Sequence, residues 1–162
     1  MLISLEWLKE YVDIKEDVKE LENALTMIGQ EVEAIEEQGK HLDNVVIGKI
    51  VEYGKHPNSD RLTLTKVDIG GGEPLQIVCG APNHKLGDKV VVAKIGAVLP
   101  GDFKIAKSKI RDVESFGMLC SETELGTGSN SSGIIILPED APIGEEYRKY
   151  AGLNDVVFEL EI

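Results

Sequence analysis

Apolar residues recur at helical spacing through the first thirty positions. Leu5, Leu8, Tyr11 and Val12 share one side of a short helix that Ser4 can cap, and Val18, Leu21, Leu25 and Ile28 mark a second helix that Gly29 ends. At Glu31-Val-Glu-Ala-Ile-Glu36 the period drops to two, which predicts a short strand exposing Glu31 and Glu33. A helix-helix-strand unit over residues 1–38 is too small to be stable unaided and needs a partner surface.

From residue 45 the pattern changes to short β-runs separated by turn signals, at residues 45–53, 62–69, 75–78, 89–98, 103–110 and 134–137. Gly70-Gly-Gly72, Leu99-Pro-Gly101 and His56-Pro-Asn-Ser59 supply turns. Within 62–69 the apolar positions change faces near Lys66, as at the bend or bulge of a coiled barrel strand. Short strands in this number with one helical element predict an α+β chain built on a five-stranded OB-type β-barrel. Residues 143–151 read as a terminal helix stopped by Gly152, and Val156-Val-Phe-Glu-Leu-Glu-Ile162 as a strand on which the sequence stops without a turn, as expected of part of a longer chain.

A length of 162 residues allows a substantial core, and no apolar run approaches the roughly 20 residues that span a bilayer. The expected setting is the cytoplasm, with no membrane partner. Cys79 and Cys120 are the only cysteines and form no Cys-x-x-Cys pair; together with His84 their spacing fits no known zinc site, so two reduced, partly buried thiols are expected and no metal.

The net charge of −12 speaks against polyanion binding until its distribution is considered. Residues 1–39 carry 3 basic and 11 acidic side chains, residues 40–111 carry 12 and 7, and residues 112–162 carry 2 and 11. A basic middle therefore lies between acidic ends. Its RNA-binding candidates are Lys49, Lys55, Arg61, Lys66, Lys85, Lys94, Lys104, Lys107, Lys109 and Arg111. On a strand over 103–110, Lys107, Lys109 and Arg111 would continue the face begun by Phe103 and Ile105. Only Tyr53, Phe103 and Phe116 offer aromatic platforms between residues 45 and 125, which suits shape recognition of a folded RNA over sequence-blind single-strand binding.

Enzyme chemistry finds little support. His56, Ser59 and Asp60 have the side chains of a hydrolase triad but crowd into one loop, where a turn explains them. Gly126-Thr-Gly-Ser-Asn-Ser-Ser-Gly133 lacks the Gly-Lys-Ser/Thr ending of a phosphate loop and precedes a strand. Glu36-Glu37 and Glu145-Glu146 read as solvated faces. No catalytic residue is assigned.

Four ordered motifs carry a resemblance: His56-Pro-Asn-Ser-Asp-Arg-Leu62, Gln76-Ile-Val-Cys-Gly-Ala-Pro-Asn83, Ala97-Val-Leu-Pro-Gly101 and the stretch from Ile110-Arg-Asp-Val-Glu-Ser-Phe-Gly-Met118 to Gly126. They resemble the tRNA-binding OB domain. The opening Met1-Leu-Ile-Ser-Leu-Glu-Trp-Leu8 and Ile28-Gly-Gln-Glu-Val-Glu33 further resemble the start of the bacterial phenylalanyl-tRNA synthetase beta subunit. The resemblance implies a barrel over 39–152 inserted in a small split N-terminal domain, with 153–162 as its truncated return strand beside residues 31–35. It also implies tRNA, and not DNA, as the nucleic acid, with the synthetase alpha subunit as partner in an alpha2 beta2 enzyme. ATP and magnesium would serve the full enzyme, not this fragment. His56, Asn58, Asn83, Ser115 and Ser121 would frame the loops. Where the family usually has Arg-Gly, this sequence has Arg111-Asp112. The competing functional readings are a docking module between synthetase domains and a free-standing tRNA-binding chaperone.

Overall fold

The computed structural model describes residues 1–161. It begins with strand β1 (Leu2–Ser4), helices α1 (Leu5–Lys9) and α2 (Val18–Met27), and strand β2 (Val32–Glu37). Strands β3 (Val45–Lys55), β4 (Thr63–Asp68), β5 (Leu75–Cys79) and β6 (Lys89–Lys94) follow. Five short strands come next: β7 (Val98–Leu99), β8 (Phe103–Lys104), β9 (Ser108–Ile110), β10 (Val113–Ser115) and β11 (Gly117–Leu119). Helix α3 (Glu122–Leu125), strand β12 (Ile136–Leu137), helix α4 (Tyr147–Tyr150) and strand β13 (Val156–Leu160) complete the chain. Contacts divide it into two units, one of residues 1–40 with the segment from residue 152 onward, the other of residues 41–151.

The first unit is closed by its two ends. β13 lies between β1 and β2, antiparallel to both, with Leu2 opposite Glu159 and Phe158 opposite Ile35. Phe158, Leu5 and Leu160 form its core, with Val18, Leu21, Leu25, Val32 and Ile35 packed around them. Burying a side chain such as Phe158 contributes about 1.5–3 kcal/mol. Ser4 caps α1, its hydroxyl accepting from the Trp7 N–H at 3.2 Å while donating to the Asp155 carboxylate. Asp17 and Glu20 form a capping box at the start of α2, and Gly29 ends it at φ 93°.

The second unit is a β-barrel. β11, β6, β3, β4 and β5 neighbour one another in that order, and the Phe116 N–H bonds to the Gln76 carbonyl at 2.8 Å, bringing the two ends of the sheet together into a nearly closed barrel. Val46, Ile50, Val67, Ile77, Val90, Val92 and Leu119 fill the interior. Gly48 permits the close approach of β3 to its neighbours, because a Cβ there would lie 2.5 Å from a Val67 methyl and 2.9 Å from one of Val92. The register slips between Ile50 and Glu52, opposite Val67 and Lys66. The face change near Lys66 thus marks a bulge, with Val51 of the partner strand as the extra residue.

Five predicted elements differ. The first helix ends at Lys9, so Tyr11 and Val12 lie beyond it and are exposed, and the run 134–137 keeps only Ile136 and Leu137 as a strand. The run 103–110 is not one strand: β8 pairs with β7, β9 pairs with β10, and buried Ile105 between them exchanges backbone bonds with the turn at Gly96 and Ala97. The run 89–98 stops at Lys94 because Gly96 turns the chain at φ 100°. The helix over 143–151 shrinks to α4, since Gly144 and Glu145 are held by backbone bonds to Ile47 of β3. The strand over 156–162 is β13 as far as Leu160, and Ile162 lies outside the described residues. β1, three residues long, has no periodic pattern in the sequence that predicts it.

Candidate nucleic-acid interface

β9 and β10 form a hairpin whose two-residue turn is Arg111-Asp112, at φ 51° and 67°. Positive φ at both central positions is the turn geometry that matches the twist of paired strands, and it favours Asn-Gly; here two side chains occupy it. Arg111 is therefore in a turn, and the continuous stripe of Phe103, Ile105, Lys107, Lys109 and Arg111 does not form: Ile105 is buried and Arg111 leaves the strand.

The loop of residues 56–61 holds this turn from behind. Nδ1 of buried His56 accepts from the Asn58 N–H at 3.0 Å, so the ring proton sits on Nε2, which donates to the Ile110 carbonyl at 2.8 Å. The Asn58 side-chain amide donates to the Arg111 carbonyl at 2.9 Å. His56, Pro57, Asn58, Ser59, Asp60, Arg61 and Arg111 line one cleft of about 530 Å³. Arg61 and Arg111 are both basic candidates in the sequence, but they lie far apart in the chain and only the fold brings them to one cleft.

The remaining basic candidates are dispersed over the barrel. Lys49 and Lys66 sit on β3 and β4, Lys49 opposite Asp68 and Lys66 4.0 Å from the Glu52 carboxylate. Lys107 pairs with Glu114 at 3.1 Å and lies over the Phe116 ring, while Lys109 faces Glu114 across the hairpin. Lys55 ends β3 beside His56, Lys94 ends β6, Lys104 is exposed on β8, and Lys85 is exposed in the loop before β6. Lys89 is structural, donating to the carbonyls of Glu139 and Ala141.

The other loop residues make specific bonds. Asn83 donates to the Ile134 carbonyl at 2.8 Å and accepts from its N–H at 3.0 Å. The Ser115 hydroxyl accepts from the Val78 N–H, and Ser121 caps α3. A second cleft, of about 470 Å³, lies between residues 78–82 and 131–134; Glu124 is the only charged side chain on its lining, so it does not suit a polyanion.

Cys79 and Cys120 are both buried, Cys120 completely, where partly buried thiols are expected. Burial pushes both thiols up, Cys120 to about 12, which leaves neither as a nucleophile or ready ligand at neutral pH. Among the described residues, no group of three or more His, Cys, Asp or Glu is arranged to hold a metal ion, and no helix is long and apolar enough to cross a membrane.

Over all 162 residues the chain is 79% identical to the phenylalanine–tRNA ligase beta subunit of Fusobacterium nucleatum subsp. nucleatum, covering 100% of this chain and 20% of that protein. It is 54% identical to the beta subunit of the same ligase from Bdellovibrio bacteriovorus, again covering 100% of this chain and 20% of the relative. For the Geobacter metallireducens beta subunit the figures are 53% identity, 99% and 20%. The chain thus spans about a fifth of the length of the curated relatives it matches. Residues 45–146, which include every strand from β3 to β12, match the family described as Putative tRNA binding domain. On that match across the barrel, the chain belongs to the tRNA binding domain family.

Proposed function

We propose that this chain is the tRNA-binding module of a phenylalanine–tRNA ligase beta subunit, assisting the ATP-dependent charging of tRNA with phenylalanine and performing no chemistry itself. The observation that carries this reading is the family match over 45–146, whose first part, residues 45–111, carries 11 basic and 6 acidic side chains. ATP and magnesium would act elsewhere in the longer protein, which would work in the cytoplasm as an alpha2 beta2 assembly with the alpha subunit. The barrel's basic residues would hold the phosphate backbone of a folded tRNA. A docking role for the first unit is compatible with this, because Trp7, Tyr11, Met27 and Ile28 are exposed on it.

Filter retention of labelled tRNA over a salt series tests the proposal. With three to five phosphates engaged, log K falls with log salt at a slope of about 2 to 3.5 on the single-strand coefficient. Absence of retention at low salt, or retention indifferent to salt, removes the tRNA role.

A further inference from the structure

We infer that the cleft between the loop of residues 56–61 and the Arg111 turn grips a ribose-phosphate segment of RNA, with Arg61 and Arg111 on a phosphate and Asp60 accepting from a ribose 2′-hydroxyl. This rests on the tRNA reading above and assigns it a place on the barrel.

The lining of the cleft selects the ligand. It is polar, with Pro57 the one apolar side chain among His56, Asn58, Ser59, Asp60, Arg61 and Arg111, and with His56 buried it exposes no aromatic ring for a base to stack on. Two guanidiniums present forked donors that match phosphate oxygens. Among the described residues, Arg61 and Arg111 make no ion pair, whereas Lys66 and Lys107 are already engaged with Glu52 and Glu114. Asp60 can only accept hydrogen bonds when ionised. It opposes a bare phosphate but matches a hydroxyl donor next to one, which ribose supplies and deoxyribose lacks.

The turn is also held in place. Arg111 and Asp112 occupy left-handed backbone conformations that are costly for side chains larger than glycine, and they persist where surrounding contacts over-determine them. Those contacts are the bonds from His56 to the Ile110 carbonyl and from Asn58 to the Arg111 carbonyl. They fix the backbone of Arg111 while its side chain remains exposed beside Arg61. A guanidinium on a pinned turn loses less freedom on binding than one on a mobile loop.

The test measures retention of a tRNA transcript by the 162-residue chain and by the double variant Arg61→Gln/Arg111→Gln. The control, Lys19→Gln/Lys149→Gln, removes the same charge from exposed sites elsewhere. We expect binding about tenfold weaker or more in the arginine variant, with the salt slope reduced by about 1.4 to 1.8 for two lost contacts, and less than about a twofold change in the control. Asp60→Ala, which leaves no acceptor, should narrow the preference for the transcript over a DNA of the same sequence; an unchanged ratio refutes the ribose contact. Equal losses in both double variants reduce the effect to net charge and overturn the cleft. Wild-type binding that survives in the arginine variant overturns the cleft and leaves the tRNA reading standing. A wild-type chain that retains no tRNA at low salt brings down both.

Discussion

His84 shows how one buried side chain ties stability to pH. The Thr63 hydroxyl donates its single proton to the Cys79 carbonyl at 3.0 Å, so at 2.7 Å from His84 it must accept, and the imidazole carries its proton on Nε2. Nδ1 is then a bare acceptor, buried and with no partner among the described residues. Burial lowers the His84 pKa from the ordinary 6.5, and nearby Asp88 only partly opposes this. The folded chain therefore resists a proton that the unfolded chain accepts. Stability is whole above the ordinary value and falls as pH drops from about 6.5 toward the lowered one. Melting temperatures recorded from pH 8 to pH 5 should decline on the acid side, and His84→Phe, which keeps a ring against Tyr53, should flatten that decline. Parallel declines in the two proteins would refute the assignment to His84.

Among the elements, the β9–β10 hairpin is where local pattern and observed structure diverge most. The period-two pattern from Phe103 to Arg111 continues across a break that only tertiary partners create, since residues 103–104 pair with β7 and residues 108–110 with β10. β1 was illegible for a related reason: its partner β13 lies at the opposite end of the chain, and three residues carry too little pattern to announce a strand. By contrast, β3 to β6 and the caps at Ser4 and Gly29 were readable, because bulky β-runs, a capping hydroxyl and a left-handed glycine each act through neighbours in sequence. The hairpin yields its own prediction. Asp112 stands at φ 67°, where glycine has no Cβ to clash, so Asp112→Gly should stabilise the protein by about 1 kcal/mol and raise its melting temperature by about 2–4 °C. Thermal unfolding followed by circular dichroism measures this; a lower melting temperature would mean that the Asp112 side chain contributes more than its backbone strain costs.

Across the whole molecule, charge and aromatic placement decide which nucleic acids can compete for the barrel. The four turn motifs made the family legible because each is a contiguous run of loop-forming residues, whereas the convergence of Arg61 and Arg111 depended on a fold that brings distant segments together. With a net charge of −12, binding must come from a local basic surface, not from a general attraction for polyanions. That surface is poor in stacking platforms. Phe116 lies beneath Lys107, Tyr53 sets its ring 5.5 Å from His84, and Phe103, 52% exposed, is the most exposed aromatic of the barrel. Binding to unstructured single strands draws on successive stacked bases at about 1–3 kcal/mol each, so one or two platforms leave poly(U) with little beyond its phosphates. A folded tRNA presents phosphates already arranged in space and loses less freedom on binding. In competition filter assays at constant salt, unlabelled tRNA should displace labelled tRNA at nucleotide concentrations at least about tenfold below those that poly(U) requires. Equal potency of the two competitors would show that the barrel reads charge alone and would refute shape recognition.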